Sequence, residues 1–337
     1  MNKITKLGVS ALCGSLAAVS VANAGELSVT GGVDMSWISK EDDNTGNPIG
    51  IGSNLTFSGS GELDNGWNVA LSVAMDNQDA YSNTNVVVTV PAFGDIRIDQ
   101  GTSGTGIDRI DDVTPNVWEE AYATGLGTGI DTIKGSSAGS TIEWTPNMMP
   151  DGLTMRIAYS PDADAGTAND KSNTHAHSVM GSGYDITLVA TDAIHGLEGL
   201  TLYGGLSKME QDDTRANYDD DKEENTWAIK YAMGGITVGY QYSEEDLGRS
   251  ASEQAYENVG YGITFQVNDD LSVGYNHYES DQDNATDVTA EATSIQIAYS
   301  MGGASIRLAE ASSDNQKYQS TAGYDKDATT LSVSLAF

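Results

Sequence analysis

The feature that most constrains this chain is a repeated segment of about ten residues with an apolar side chain at every second position. One such segment spans residues 27–37 near the start, and another spans residues 331–337 at the end. Successive side chains of a β-strand point to opposite faces, so each apolar set lies on one face of a strand. No apolar run reaches the roughly 18 residues of a spanning helix, which excludes a helical membrane protein. A chain of this kind can cross a membrane only as a closed barrel.

The connections between these segments alternate between short turns and long acidic loops. We assign short turns to residues 64–66, 91–94, 146–152, 193–199, 234–235, 268–270 and 302–303. We assign long loops to residues 40–50, 76–82, 102–138, 161–174, 210–222, 244–252, 281–288 and 314–324. Seven turns and eight loops predict sixteen strands. A soluble β-sandwich would show the same alternation, but it gives no reason to segregate connection lengths, and the pattern favours an outer-membrane barrel.

The composition is strongly acidic, with 16 Lys and Arg against 49 Asp and Glu and a formal charge of −33. A chain with this charge lacks the basic surface that nucleic acid requires, so we expect no nucleic-acid partner. Acidity of this size is also typical of disorder, but the regular apolar alternation contradicts disorder. The composition therefore indicates a folded chain whose acids are collected in its loops.

The first 24 residues have the pattern of a cleaved signal peptide. Lys3 and Lys6 precede a stretch of small and apolar residues, and Ala22-Asn23-Ala24 matches an A-x-A cleavage site. The only cysteine, Cys13, lies inside this segment. We therefore expect a mature chain that begins at Gly25, forms a single domain over residues 25–337 and contains no disulfide or thiol site.

Two stretches resemble known outer-membrane proteins. Residues 331–337, LSVSLAF, alternate and end in Phe337, like the terminal strand of Gram-negative porins. Residues 91–101, PAFGDIRIDQG, are similar to the turn and fifth strand that precede loop 3 of general diffusion porins, particularly the alphaproteobacterial type. The resemblance implies an all-β, closed antiparallel barrel of sixteen transmembrane strands with short periplasmic turns and long extracellular loops. It also implies a homotrimer, contacts with outer-membrane lipids and lipopolysaccharide, and recognition of Phe337 by the barrel-assembly machinery.

The long connection at residues 102–138 corresponds to loop 3 of that family, which folds into the barrel and narrows the pore. A loop of this length in a compact protein is usually functional. Its acids are the candidate negative side of a constriction: Asp108, Asp111, Asp112, Glu119, Glu120 and Asp131. Arg109 and Lys134 are the only bases within it. The alternative interpretation is a solvated acidic surface loop.

The alternation also predicts which charged strand residues point into the barrel. Ile96 and Ile98 face outward, so Arg97 and Asp99 face the lumen. By the same parity the lumen receives Arg156, Lys230 and Arg307. A charge facing lipid at mid-depth costs roughly 2–4 kcal/mol, which favours this assignment. Acids on loop 3 facing bases on the wall would create a transverse field, and the excess of acids predicts a pore that prefers cations and small neutral solutes.

Other functions have less support in the sequence. No nucleophile–base arrangement stands out, and no phosphate loop or zinc spacing is recognised, so we assign no catalytic residue and expect neither an enzyme nor a cofactor. The acidic clusters at residues 41–43, 219–221, 244–246 and 281–283 favour a hydrated rim, although calcium bridging between loops is an alternative. A substrate-specific porin for a sugar or other nutrient stays open, as does a barrel that carries an enzyme or adhesin.

Overall fold

The computed structural model describes residues 27–41, 47–77, 79–100, 104–130, 132–164, 179–212, 217–250, 255–283 and 288–336. The proposed signal peptide with Cys13, the loop residue Asp131 and the terminal Phe337 lie outside the described residues. Parts of the acidic loops, among them residues 42–46 and 284–287, also lie outside them.

Sixteen strands form the fold. Their bounds are β1 Leu27–Lys40, β2 Ile49–Glu62, β3 Asn68–Asp76, β4 Asp79–Val90, β5 Gly94–Gln100, β6 Ser140–Pro146, β7 Leu153–Ser160, β8 Met180–Ala190, β9 Leu200–Gln211, β10 Lys222–Met233, β11 Ile236–Asp246, β12 Ala255–Gln266, β13 Leu271–Asp283, β14 Val288–Met301, β15 Ala304–Asp314 and β16 Lys326–Ala336.

Each strand pairs antiparallel with the next one along the chain, and β1 pairs with β16 to close the barrel. The closing register runs from Gly32 opposite Ala336 to Lys40 opposite Ala328. Closure satisfies the edge hydrogen bonds that an open sheet would leave unpaired. The predicted fold class and strand number are therefore confirmed.

The barrel is apolar outside and polar inside. On β14, Ile295 is 59% exposed, whereas the adjacent Gln296 is fully buried. Ile51 on β2 is 71% exposed. A surface covered with such side chains is unsuited to water and matches the hydrocarbon core of a bilayer, while the polar residues line the interior.

Two predicted long loops are wrong. Only four residues separate the end of β13 at Asp283 from the start of β14 at Val288, so residues 281–288 are not a long connection. Residues 76–82 contain no long connection, because β3 ends at Asp76 and β4 already begins at Asp79. Asn77 takes a left-handed conformation, φ 51°, and its side-chain oxygen accepts a hydrogen bond from the Ser53 N–H at 3.1 Å. Asparagine tolerates this conformation better than most residues, so a two-residue turn suffices. The run of small polar residues that indicated a loop is strand.

Helical structure is confined to short connections. One-turn 3₁₀ segments occur at Gly106–Ile110, Ala121–Ala123, Gly135–Ala138, Gln316–Tyr318 and Ala322–Tyr324, and a four-residue α-helix occurs at Asp192–His195. Among the described residues, none of these is long and apolar enough to cross a membrane.

Candidate pore constriction

Loop 3, defined here as residues 101–139 between β5 and β6, lies along the inner wall of the barrel. Its ends are held by three wall carboxylates on alternate strands, Glu143 on β6, Asp185 on β8 and Glu224 on β10. They accept hydrogen bonds from loop N–H groups, namely Gly106 to Glu143 (2.7 Å), Ile107 and Ser136 to Asp185 (3.1 Å each), and Lys134 (3.1 Å) and Gly135 (2.5 Å) to Glu224. The loop's entry and exit are thus fastened to neighbouring parts of the wall.

Two glycines allow this close approach to Asp185. Gly106 and Gly135 have φ of 60° and 61°. A Cβ atom at Gly106 would lie 1.9 Å from Asp185 Oδ2, and one at Gly135 would lie 2.6 Å from the same atom. Only glycine fits both the backbone conformation and the space.

The middle of the loop is held by amide side chains. Gln241 on β11 accepts from the Val113 N–H at 2.9 Å and donates to the carbonyl oxygen of Ile110 at 2.8 Å. Gln296 on β14 accepts from the Trp118 N–H at 3.1 Å. Each amide both donates and accepts, which suits an extended backbone running across the strands.

The far part of the loop reaches the seam of the barrel. Thr330 on β16 donates to the carbonyl oxygen of Thr124 at 2.9 Å. Leu126 packs with Ala311 and Ala328 and contacts Ile38 on β1. Loop 3 therefore covers the inner wall from β6 round to β16.

The uncovered part of the wall is β1–β4, where none of the described side chains is buried. This open wall presents hydroxyl and amide groups, among them Ser58, Ser72, Asn54 and Asn85. Together with loop 3 it bounds the uncovered part of the lumen.

The predicted basic residues do not gather on this open wall. Arg97 on β5 is ion-paired with Asp99 at 2.6 Å. Arg307 on β15 is ion-paired with Asp34 on β1 at 3.1 Å. Lys230 on β10 lies below loop 3, where its ammonium is 5.5 Å from the centre of the Tyr203 ring. The predicted bases are spread round the barrel, and two of them are paired with wall acids.

A loop base also pairs with a wall acid, the reverse of the expected polarity. The guanidinium of Arg109 contacts the carboxylate of Glu143 at 2.7 Å. Arg156 on β7 interacts electrostatically with both Arg109 and Glu143. The alternation of side chains predicts the direction of Arg156. No local pattern predicts the ion pair between Arg109 and Glu143, because the length of the loop separates these two residues in the sequence.

The loop acids that were predicted for the constriction are bound by neutral groups. Asp108 accepts from the Gly104 N–H, and Asp111 accepts from the Thr132 hydroxyl at 3.3 Å. Glu120 accepts from the Asn116 amide at 2.5 Å.

Burial raises the pKa of the loop acids Glu119 and Glu120. It is the main cause that raises the pKa of Glu120 to about 7, with a smaller contribution from the charge of Asp112. The pKa of Glu119 is also raised by burial, while Arg307 opposes the shift. Desolvation favours the neutral form of a carboxyl group, so these acids are harder to ionise than exposed ones.

Asp111 and Asp112 share a hydrogen bond. Burial and the neighbouring Asp112 raise the pKa of Asp111, whereas the hydrogen bond from Asp111 opposes the rise in the pKa of Asp112. Within this pair the hydrogen bond favours the protonated form of Asp111 and the ionised form of Asp112.

No group of three or more His, Cys, Asp or Glu side chains that could hold a metal ion occurs in the described ranges. Calcium bridging between the acidic loops stays a prediction.

A closed sixteen-stranded barrel with an apolar exterior, a polar interior and a long loop along its inner wall defines a membrane channel. A sequence profile of Gram-negative porins matches residues 8–318, and the chain belongs to this Gram-negative porin family. Family and fold together make it an outer-membrane channel protein. No curated protein sequence matches the chain.

Solved structures share the fold at low sequence identity. OmpF of Salmonella typhi, in complex with daunomycin, has a TM-score of 0.68 at 14% identity over 93% of this chain and 98% of that one. The anion-selective porin of Comamonas acidovorans has a TM-score of 0.64 at 15% identity over 93% of this chain and 100% of that one. A loop L8 deletion mutant of OmpT, an outer membrane protein of Vibrio cholerae, has a TM-score of 0.66 at 13% identity over 94% and 100%.

Proposed function

We propose that the protein is a passive, water-filled channel for small hydrophilic solutes and ions, with a preference for cations. The supporting observation is that the wall bases and the loop acids have different kinds of partner. Wall bases such as Arg97 and Arg307 are compensated by carboxylates, whereas the loop acids Asp108 and Glu120 accept hydrogen bonds from neutral groups. When they are ionised, loop acids beside the passage concentrate cations and repel anions.

The purified protein in a planar lipid bilayer tests this proposal. In a tenfold KCl gradient we expect a reversal potential of the sign that potassium preference produces. Conductance in the presence of neutral sugars of increasing size measures the width of the passage. A reversal potential of the opposite sign would overturn the cation preference. Block by one sugar alone, at a size that others pass, would replace general diffusion with substrate-specific transport.

We propose transport without chemistry and assign no catalytic residue. Conduction needs only the passage between loop 3 and the open wall. Hydrolytic activity that disappears when one serine or histidine is replaced, in a protein that does not conduct, would favour an enzyme on a barrel scaffold instead.

We also propose that the chain is exported to the outer membrane and assembled there as a porin is. A cleaved segment at residues 1–24 would direct the chain to the outer membrane, where lipids and lipopolysaccharide surround the apolar exterior. The barrel-assembly machinery would recognise the terminal strand with Phe337. The mature protein is then predicted to begin at Gly25, which N-terminal sequencing of the protein from outer membranes tests.

We also propose a homotrimer whose subunits meet through β1–β5. Supporting this choice is the distribution of aromatic residues on the outer surface. Among the described side chains of β1–β5, the exposed aromatic ones are Trp37 and Phe57. The exposed aromatics of the other strands are Tyr159, Tyr184, Trp227, Tyr231, Tyr261, Phe265 and Tyr299. Trp67 and Phe93 are also exposed, in the short turns that follow β2 and β4. Tyr and Trp are enriched where a barrel meets the lipid interface, so the aromatic-poor strands β1–β5, whose described side chains expose Trp37 and no tyrosine, are the better candidate for subunit contact.

A further inference from the structure

A cavity of about 520 Å³ lies beneath loop 3. Loop residues 112–116 form one side, and lumen-facing residues of β9–β12 form the other. Gly199 and Ala232 in its lining border the short turns, so the cavity lies in the half of the lumen nearer the short-turn rim. Its volume is sufficient for a small solute.

Lys230 is the basic residue of this cavity. Among the described residues it makes no ion pair, and its ammonium lies 5.5 Å from the centre of the Tyr203 ring. Other lumenal bases, such as Arg97 and Lys222, are paired with carboxylates. Lys230 is therefore a cation with hydrogen-bonding capacity left for a solute.

Asp112 lines the same cavity from the loop side. Its side chain is exposed, and its neighbour Asp111 donates a hydrogen bond to it. The hydrogen bond from Asp111 favours the ionised form of Asp112, whereas burial of the carboxyl group opposes it. With Asp112 ionised, the cavity has a negative group on the loop side and a positive group on the wall.

Hydroxyl groups lie between these two charges. Thr201, Thr237 and Thr264 line the cavity. A second cavity of about 360 Å³ shares Thr237 and Thr264 with the first and is lined further along by Gln266 and Ser272. The two cavities together present neutral polar groups that can replace water around a polar solute.

We propose that this cavity is a subsite for small zwitterions, in which Lys230 binds the carboxylate of the solute and Asp112 binds its ammonium group. The proposal rests on the channel function proposed above. A simple anion is repelled by Asp112, a simple cation is repelled by Lys230, and a neutral solute gains from neither charge. A molecule with both charges, such as an amino acid or short peptide, can bind Lys230 and Asp112 at the same time.

Single-channel recording with glycylglycine tests the subsite. The neutral compound N-acetylglycinamide, of similar size, serves as the comparison solute. The variants are Lys230→Gln and Asp112→Asn. Lys208→Gln is the matched control, because it removes the same charge from a strand position that faces outward and pairs with Glu223.

We expect glycylglycine to block the unmodified channel saturably, and more strongly from the short-turn side than from the other. Lys230→Gln and Asp112→Asn should each weaken the block about tenfold, the size expected for one lost charge-assisted hydrogen bond. Lys208→Gln should not change it, and N-acetylglycinamide should not block.

Equal block in the unmodified channel and in Lys230→Gln, or equal block by the two solutes, would overturn the subsite and leave the channel proposal intact. A protein that carries no current in KCl would overturn the channel and, with it, the subsite.

Discussion

Asp185 and Glu120 show how single carboxylates can have opposite tasks in one lumen. Asp185 on β8 is fully buried and accepts hydrogen bonds from the two ends of loop 3 and from the Ser207 hydroxyl at 2.6 Å. Glu120 lies on the loop itself with one neutral donor. The carboxylate of Asp185 holds the loop against the wall, whereas that of Glu120 is half-buried and accepts one hydrogen bond from a neutral group.

Replacing Asp185 with Asn should loosen loop 3. The amide offers one acceptor oxygen and places an NH₂ group among donors, so at least one buried N–H loses its partner at a cost of about 1–3 kcal/mol. We expect noisier single-channel current and a lower temperature for heat denaturation, followed by the mobility shift of the folded barrel in detergent gels. Asp192→Asn, on the exposed one-turn helix, is the control. Quiet current and unchanged heat resistance in Asp185→Asn would contradict this role.

Glu120 should make ion selectivity depend on pH near neutrality. Burial raises the pKa of Glu120 to about 7, so the group is neutral below that pH and negative above it. Cation preference, measured as a reversal potential, should therefore rise between pH 6 and pH 8. Glu120→Gln should flatten this part of the profile, and Glu198→Gln, in a short turn, should leave it unchanged. The prediction fails if the profile keeps its slope in Glu120→Gln.

At the scale of an element, β9 shows how one strand serves two environments. Gly204 and Gly205 are adjacent and face opposite sides of the barrel. A Cβ atom at Gly204 would meet nothing within 4 Å, whereas one at Gly205 would lie 2.9 Å from both Ile107 and Ile110. Those two isoleucines pack with Ile133 into a buried apolar cluster beneath the loop. The flat inner face of β9 at Gly205 is what lets loop 3 approach the wall.

Gly205→Val should displace loop 3, and Gly204→Val should not. Overpacking a well-filled contact costs typically about 1–3 kcal/mol, and here the loop is the part that can move. We expect altered single-channel conductance and lower heat resistance for Gly205→Val. Gly204→Val adds only an apolar group to the outer face. Identical conductance in the two variants would show that the Gly205 contact does not position the loop.

At the scale of the whole molecule, the barrel has two unlike sides. Along β6–β16 the inner wall is covered by loop 3 and its inward side chains are largely buried, while along β1–β4 the inner wall is open. The described strands differ in a similar way on the outside, because the exposed strand tyrosines all lie on β6–β16 and only Trp37 is an exposed Tyr or Trp on β1–β5. The side that bounds the passage on the inside is therefore the side proposed for subunit contact on the outside.

A bulky substitution on the aromatic-poor side should weaken the trimer. Ile51→Trp on β2 places a large ring where subunits are proposed to pack, whereas Ile295→Trp on β14 places it against lipid, which adapts. Both positions are highly exposed in one chain. We expect loss of the heat-resistant oligomer in unboiled detergent gels, or a lower oligomer mass by native mass spectrometry, for Ile51→Trp alone. A trimer that survives in Ile51→Trp but not in Ile295→Trp would place the contact on the other side.

The sequence alone determined the barrel, its strand number and the inward direction of wall residues such as Arg97 and Arg307. These properties follow from the period of two, which is local to each strand, and from the lengths of the connections. The two-residue turn after Asp76 is one exception, because the polar residues that start β4 resemble a loop when only their composition is considered.

The tertiary structure decided which charges meet. Arg307 and Asp34 are far apart in the sequence, yet they become neighbours because both flank β16 when the barrel closes. Glu143, Asp185 and Glu224 become loop anchors only because loop 3 lies against the strands that carry them. Alternation fixes the side of the sheet on which a residue lies, but its partner depends on closure and on the path of the loop, which no local pattern encodes.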